Sequence, residues 1–229
     1  MKSKIKLQFG LNIAYFVIVC FEIIAELFDF NIASILFRIV LPILLGILYF
    51  LNTQKNNSLF YILLGFIMLS NVLFLYRNSP LFFYGIITFI FSRIIALLLI
   101  FNLSKEKNYL HIIGVSFPFL VIFFYLISVT NDISNVELNV LILQSSLISV
   151  LAGISITNYF KNENRQNSWL LISTLLFIGL RFIVFIERYI VSDLTLSVNR
   201  PIEVILSAFA FFTFYKYIIA AEINENTSN

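Results

Sequence analysis

The stretch Leu81-Phe-Phe-Tyr-Gly-Ile-Ile-Thr-Phe-Ile-Phe-Ser-Arg-Ile-Ile-Ala-Leu-Leu-Leu-Ile-Phe-Asn-Leu103 decides the fold. It carries one ionisable side chain, Arg93, in an apolar run longer than the roughly 20 residues that cross a hydrocarbon core of about 30 Å. Similar runs fill most of the chain. Of the 229 residues, 60% are hydrophobic and 12% charged, which is about half the charged share of a soluble protein. A globule of this size could not hide so many Phe, Ile and Leu side chains from water, so its solvent is partly lipid.

Working outward from that run, polar clusters divide the chain into eight apolar segments. These cover about 9–28, 32–51, 59–76, 81–103, 110–129, 136–159, 169–189 and 201–221. The breaks are compact: Asn52 to Ser58, Arg77-Asn-Ser-Pro80, Ser104 to Asn108, Thr130 to Asn135 and Lys161 to Ser168. Short connections leave no room for a soluble domain, so residues 1–229 form one transmembrane domain. Backbone polar groups in lipid must be satisfied within each segment, and the runs are too long and too evenly apolar for barrel strands. The expectation is an all-α, polytopic transmembrane helical bundle. The break between the third and fourth segments is brief, so seven spans stand as the alternative to eight.

Basic residues set the expected orientation. Lys2, Lys4, Lys6, Lys55, Lys105, Lys107, Lys161 and Arg165 fall on one side, and Arg77, Arg188 and Arg200 on the other. That asymmetry places the N-terminus in the cytoplasm, and an even number of spans brings the C-terminus there too. The location that follows is the inner (plasma) membrane of a bacterium. Met1 to Lys6 resembles the start of a signal peptide, but no small-residue cleavage site follows it, so the first span reads as uncleaved. Tyr49, Tyr61, Tyr109, Tyr159 and Trp169 lie near the inner boundary, as an aromatic belt would. A net charge of +3, carried largely by short loops, gives no reason to expect a nucleic-acid partner.

The informative residues are the polar ones within the spans. Arg93 and Arg181 lie near mid-span, Arg38 about a third of the way into the second span, and Asn71 deep in the third. Glu22 and Glu26 are four apart, hence on one face of the first span, and Glu203 lies toward the outer end of the eighth. A charge at mid-membrane costs about 2.5–3.5 kcal/mol, so the arginines must face partners or water. The expected partners are Glu22 and Glu26 for Arg38 and Arg93, and Glu203 for Arg181. Small residues share the charged faces, with Gly85, Ser92 and Ala96 beside Arg93 and Ser207 and Ala210 beside Glu203. Two readings follow. The charges form an ion-pair network that fixes helix register, or they line an outward-facing pocket whose arginines fork onto a phosphate or carboxylate.

Other features point to packing. Ser145, Ser149 and Gly153 form a ridge at four-residue spacing, and Pro42 and Pro118 are expected to kink their helices. His111 has no Cys, Asp or second His at ligand spacing, so neither a metal nor a cofactor is expected. Cys20 is the only cysteine and lies inside an apolar run.

Phe82-Phe-Tyr-Gly85-Ile-Ile-Thr-Phe89-Ile-Phe-Ser-Arg93 resembles the F-x-x-G-x-x-x-F-x-x-x-H span of the YhhN-like, or lysoplasmalogenase, family of eight-span membrane proteins. Leu41-Pro42 falls at that family's Lys-Pro, Ser70-Asn71 at its Gly-Asp, and Phe177-Ile-Gly-Leu180-Arg181 at its Phe-x-x-Ser-Asp. The resemblance implies an eight-span bundle and hydrolysis of the vinyl-ether bond of lysoplasmalogens, with membrane aspartates as acid or base. Here the signature is altered at each polar position, since Asn71 and Arg181 stand where acids would be and Arg93 where histidine would be. Neither an amide nor an arginine can carry that proton. If the chain is catalytic, the acid must come from Glu22, Glu26 or Glu203.

An internal echo suggests a duplicated bundle. Asn71 and Arg181 are 110 positions apart, as are Arg93 and Glu203. Three functional classes remain in view: a YhhN-like hydrolase of lysophospholipids or lysoplasmalogens with substituted catalytic groups, a non-catalytic binder or sensor of a lipid or small anion, and a small transporter. In each, membrane lipids are the surrounding partner and a lysophospholipid is a candidate ligand. Arg38, Asn71, Arg93 and Arg181 are the expected ligand-binding residues.

Overall fold

The computed structural model describes residues 2–28, 30–53, 55–74, 80–104, 108–130, 134–189 and 196–226. They form eight α-helices: α1 (Lys2–Leu27), α2 (Asn31–Asn52), α3 (Ser58–Leu73), α4 (Leu81–Leu103), α5 (Tyr109–Val129), α6 (Asn135–Lys161), α7 (Arg165–Tyr189) and α8 (Leu196–Asn226). Seven are long and apolar enough to cross a membrane. The eighth, α3, has 16 residues. At 1.5 Å per residue it is about 24 Å long. It nonetheless runs the depth of the bundle, because Phe60 near its start packs on Tyr49 at the end of α2 while Asn71 reaches Arg38 near the beginning of α2. The span count is therefore seven or eight. Arg77 and the end of the expected third segment lie outside the described residues.

Local chemistry fixes the helix ends. The side chains of Asn57, Asn108 and Ser134 cap α3, α5 and α6 by accepting from the backbone N–H of Leu59, His111 and Glu137. The Ser134 hydroxyl also donates to the Glu137 carboxylate at 3.1 Å. In the α2–α3 turn Asn56 takes φ 45°, a left-handed conformation that asparagine tolerates. Thr53 Oγ1 accepts the N–H groups of Lys55 and Asn56 there. Both α2 and α5 continue through their prolines, and α8 begins before Pro201 rather than at it.

The helices alternate in direction and pack as four hairpins: α1 with α2, α3 with α4, α5 with α6, and α7 with α8. The hairpins close into a ring in which α2 meets α3, α4 meets α6, α6 meets α7 and α8 returns to α1 and α2. The pattern is nearly two-fold. The α1–α4 half and the α5–α8 half make the same internal contacts, α2 touches α8 as α6 touches α4, and α4 meets α8 across the centre. One pairing lacks its counterpart, since α1 packs on α8 whereas, among the described residues, α5 packs mainly on α6, with Phe123 stacked on Phe182 of α7, and not in the same way on α4.

Large apolar side chains cover the outside. Phe9, Ile32, Leu110, Ile113 and Phe160 are each more than 60% exposed, as expected of a surface solvated by lipid tails. Lipid is as apolar as leucine, so helix association depends on close packing and hydrogen bonds. The predicted Ser145–Ser149–Gly153 ridge is buried against α5. A β-carbon on Gly153 would come within 2.5 Å of the Ile112 carbonyl oxygen and closer still to Ser116 Oγ.

Candidate functional site

A cavity of about 270 Å³ lies in one half of the bundle, the half nearest the α1–α2, α3–α4, α5–α6 and α7–α8 connections. Every helix except α5 contributes to its wall. On the orientation expected from the basic residues, this is the outer half.

The α1–α2 hairpin builds the first charged group. Four-residue spacing puts Glu22 and Glu26 on one face of α1, toward α2. Arg38 approaches them through Nε to Glu22 at 3.3 Å and Nη2 to Glu26 at 2.6 Å. Ser34 donates a further hydrogen bond to Glu26. Both carboxylates are buried. Asn71 of α3 donates to the Arg38 carbonyl at 3.0 Å, which ties a third helix to the same turn. Glu22, Arg38 and Asn71 line the cavity, while Glu26 sits behind them.

Arg93 does not join that group. Its guanidinium lies 3.9 Å from the Phe177 ring centroid and 4.9 Å from that of Phe89, with Nη1 buried and without a hydrogen-bond partner. The expected pairing with Glu22 or Glu26 is therefore replaced by two cation–π contacts. The reason is packing order: α4 meets α3, α6 and α8, and α1 is not among its neighbours. Phe89 lines the cavity and Arg93 stands one layer behind it, within electrostatic range of Arg181. Arg181 itself lines the cavity, as does Glu203. Of the seven residues read from the sequence, five share the wall, and Glu26 and Arg93 flank it.

The wall also holds residues that the sequence reading passed over. Tyr15 lines the deep end and donates to the Ala208 carbonyl at 2.9 Å, joining α1 to α8. Glu137 and Gln144 face the cavity from α6 with Val140 and Leu141, a set at three- and four-residue spacing. That spacing was a readable signal, although the sequence reading placed Glu137 just inside the sixth span without singling it out. Phe74, Phe82, Phe89, Phe185 and Phe211 supply apolar wall. Apolar lining with a few converging polar groups is the usual character of a small-molecule site, and this volume lies near the lower edge of the about 300–1,000 Å³ range.

At the opposite end of the bundle the polar residues are closed on one another. Glu222 is buried and accepts hydrogen bonds from Tyr49 and Thr53, so it belongs to the last turns of α8 and not to a polar tail. Tyr49 in turn accepts from the Asn57 N–H at 2.8 Å, and it is buried instead of facing lipid as an anchor. Asn52 donates to Tyr215 at 2.8 Å and Asn158 to Ser104 at 3.2 Å. Asn167 donates to the carbonyls of Asn158 and Asn162. His111 is exposed on α5, away from the cavity, and Cys20 is exposed on α1. Among the described residues no three His, Cys, Asp or Glu side chains gather where they could hold a metal ion.

No protein-family model, no curated protein and no solved structure matches this chain. Composition and eight helices, at least seven of spanning length, define a multi-pass α-helical membrane protein. Anything finer rests on the cavity.

Proposed function

We propose that this protein binds a single-chain amphiphile with an anionic or zwitterionic headgroup, of the lysophospholipid type, and holds it without turnover. The observation that carries this reading is a cavity at membrane depth in which Arg181 and Glu203 share the wall with six phenylalanines. Arg181, reinforced by Arg93 behind Phe89, attracts the phosphate, and Glu203 and Glu137 suit the cationic end of a zwitterion. The aromatic wall takes the first part of the chain. A volume of about 270 Å³ suits one chain and not two. Arg38 belongs to the scaffold, because two carboxylates already neutralise it.

A second reading is the vinyl-ether hydrolase that the YhhN-like resemblance implies. Glu22 and Glu26 bond Arg38, so this reading turns on Glu203, the remaining candidate acid, which also lines the cavity. Its carboxylic acid would protonate the vinyl-ether carbon, and water would add to the resulting oxocarbenium ion, releasing an aldehyde and the glycerophospho headgroup.

The test is mass spectrometry of purified protein incubated with lysoplasmalogen and with lysophosphatidylcholine, beside Glu203→Gln. Intact lipid retained by the wild type with no product supports the binder. Aldehyde formed by the wild type and lost in Glu203→Gln supports the hydrolase. Neither retention nor product would overturn both. The setting proposed for this activity is a bacterial plasma membrane, with both termini cytoplasmic.

A further inference from the structure

The cavity is not closed equally on its two pseudo-equivalent sides. Where α2 meets α8, α1 packs on both helices, Tyr15 bonds the Ala208 carbonyl and Glu22 reaches Arg38, so the seam is covered. The matching seam lies between α4 and α6. There α5, the counterpart of α1, packs on α6 and through Phe123 on Phe182 of α7, and among the described residues it does not pack on α4 as α1 packs on α8.

At the end away from the cavity, α4 and α6 are joined by the Asn158–Ser104 hydrogen bond. Toward the cavity end both turn residues into the void: Phe82, Phe83 and Ile86 from α4, Val140 and Gln144 from α6. Phe83 lines the cavity and is 38% exposed. Val140 lines the same cavity from α6 and is half-buried. Gln144 apart, the seam residues named are apolar, and Glu137 follows in the first turn of α6.

We propose that the α4–α6 seam is a lateral portal through which the single acyl chain of an amphiphile enters the cavity sideways from the adjoining leaflet. This rests on the amphiphile-binding reading above and adds the route. A water-borne anion would need an opening lined by polar groups, and Glu137 at the rim would repel it. An acyl chain already in the bilayer meets only Phe83, Ile86 and Val140, and its headgroup stays level with Glu137. That carboxylate favours a zwitterionic headgroup, with its cationic end outward, over a purely anionic one.

The experiment uses the full chain in phosphatidylcholine nanodiscs with a fluorescent lysophosphatidylcholine as the probe. Val140→Trp fills the seam, and Ile13→Trp adds equal bulk to the lipid face of α1. A blocked portal slows entry and exit alike, so Val140→Trp is expected to lower both rates about tenfold, a joint slowing that lost affinity alone, which speeds exit, does not give, while Ile13→Trp leaves both rates alone. As a check that needs no variant, wild-type protein is irradiated with lysophosphatidylcholine carrying a diazirine in its chain. Label is expected on peptides covering 82–86 and 136–144. Wild-type rates in Val140→Trp, or label confined to α1 and α8, would overturn the portal while leaving the binder in place. No binding by the wild type would remove the binder and the portal together.

Discussion

The two ends of the bundle use polar residues in opposite ways. At the Glu222 end, a carboxylate, hydroxyls and amides bond one another across α2, α4, α6, α7 and α8. At the Glu22 end, full charges of both signs surround a void. A membrane bundle has little hydrophobic incentive to prefer one helix register over another, and short-range hydrogen bonds supply one. The Glu222 clasp is explained by that need alone. The cavity end is not, because register does not require empty space, and it does not require an arginine held between two rings. The contrast separates polar residues closed on one another from those that border empty space, and Arg38, which meets two carboxylates, shares features of both.

The largest effect that would test this division comes from Arg38→Ala. It leaves Glu22 and Glu26 buried beside each other, and breaking a buried pair costs about 3–5 kcal/mol. Arg38 is 26% exposed at its side chain, so a loss of about 3 kcal/mol is expected in mixed-micelle unfolding, recovered when both glutamates are also changed to glutamine. Next in size is Gly153→Val. With no room for a β-carbon against α5, it should cost about 1–3 kcal/mol and loosen the α5–α6 hairpin in a proteolysis assay. Glu222→Ala strands the Tyr49 and Thr53 hydroxyls and should cost about 1–3 kcal/mol without altering ligand retention. If retention fell as well, the two ends would not be functionally separate.

Arg93→Met has the opposite signature. It removes a buried guanidinium nitrogen that makes no hydrogen bond, so stability should hold or rise, while affinity for lysophosphatidylcholine falls about tenfold, roughly 1.4 kcal/mol. Stability lost with affinity intact would move Arg93 to the scaffold. The smallest effect is that of Glu137→Gln. As a first-turn acid hydrogen-bonded to the N-cap hydroxyl it should cost no more than about 0.5 kcal/mol, yet it should reduce the preference for zwitterionic over anionic headgroups.

Depth was legible in the sequence, and neighbours were not. A rise of 1.5 Å per residue fixes how far Glu22, Arg38, Asn71, Arg181 and Glu203 lie from their helix ends, and all five reach one cavity. The Glu22–Glu26–Arg38 group was legible for a further reason: α1 and α2 are consecutive, so a short connection obliges them to pack. Arg93 went to the wrong partners because apolar periodicity shows which face of α4 is special but not which helix stands opposite. Glu222 was hidden by its position, since a polar residue at the end of an apolar run looks the same whether its helix stops or continues buried. The echo at 110 positions corresponds to a real near-repeat of packing, though the asymmetry that opens the α4–α6 seam has no signature in residue types.

The length of α3 has a mechanical consequence for the host membrane. As the eighth span, its described length of about 24 Å in a hydrocarbon layer of about 30 Å would leave a mismatch of about 6 Å, each ångström costing a fraction of a kcal/mol. Ile62 and Leu69 are exposed, so the lipids beside it would thin to meet it. An eight-span bundle would then favour thin bilayers, and lengthening the acyl chains of a reconstituted membrane would load α3 before any other helix, whereas a seven-span bundle would show no such dependence.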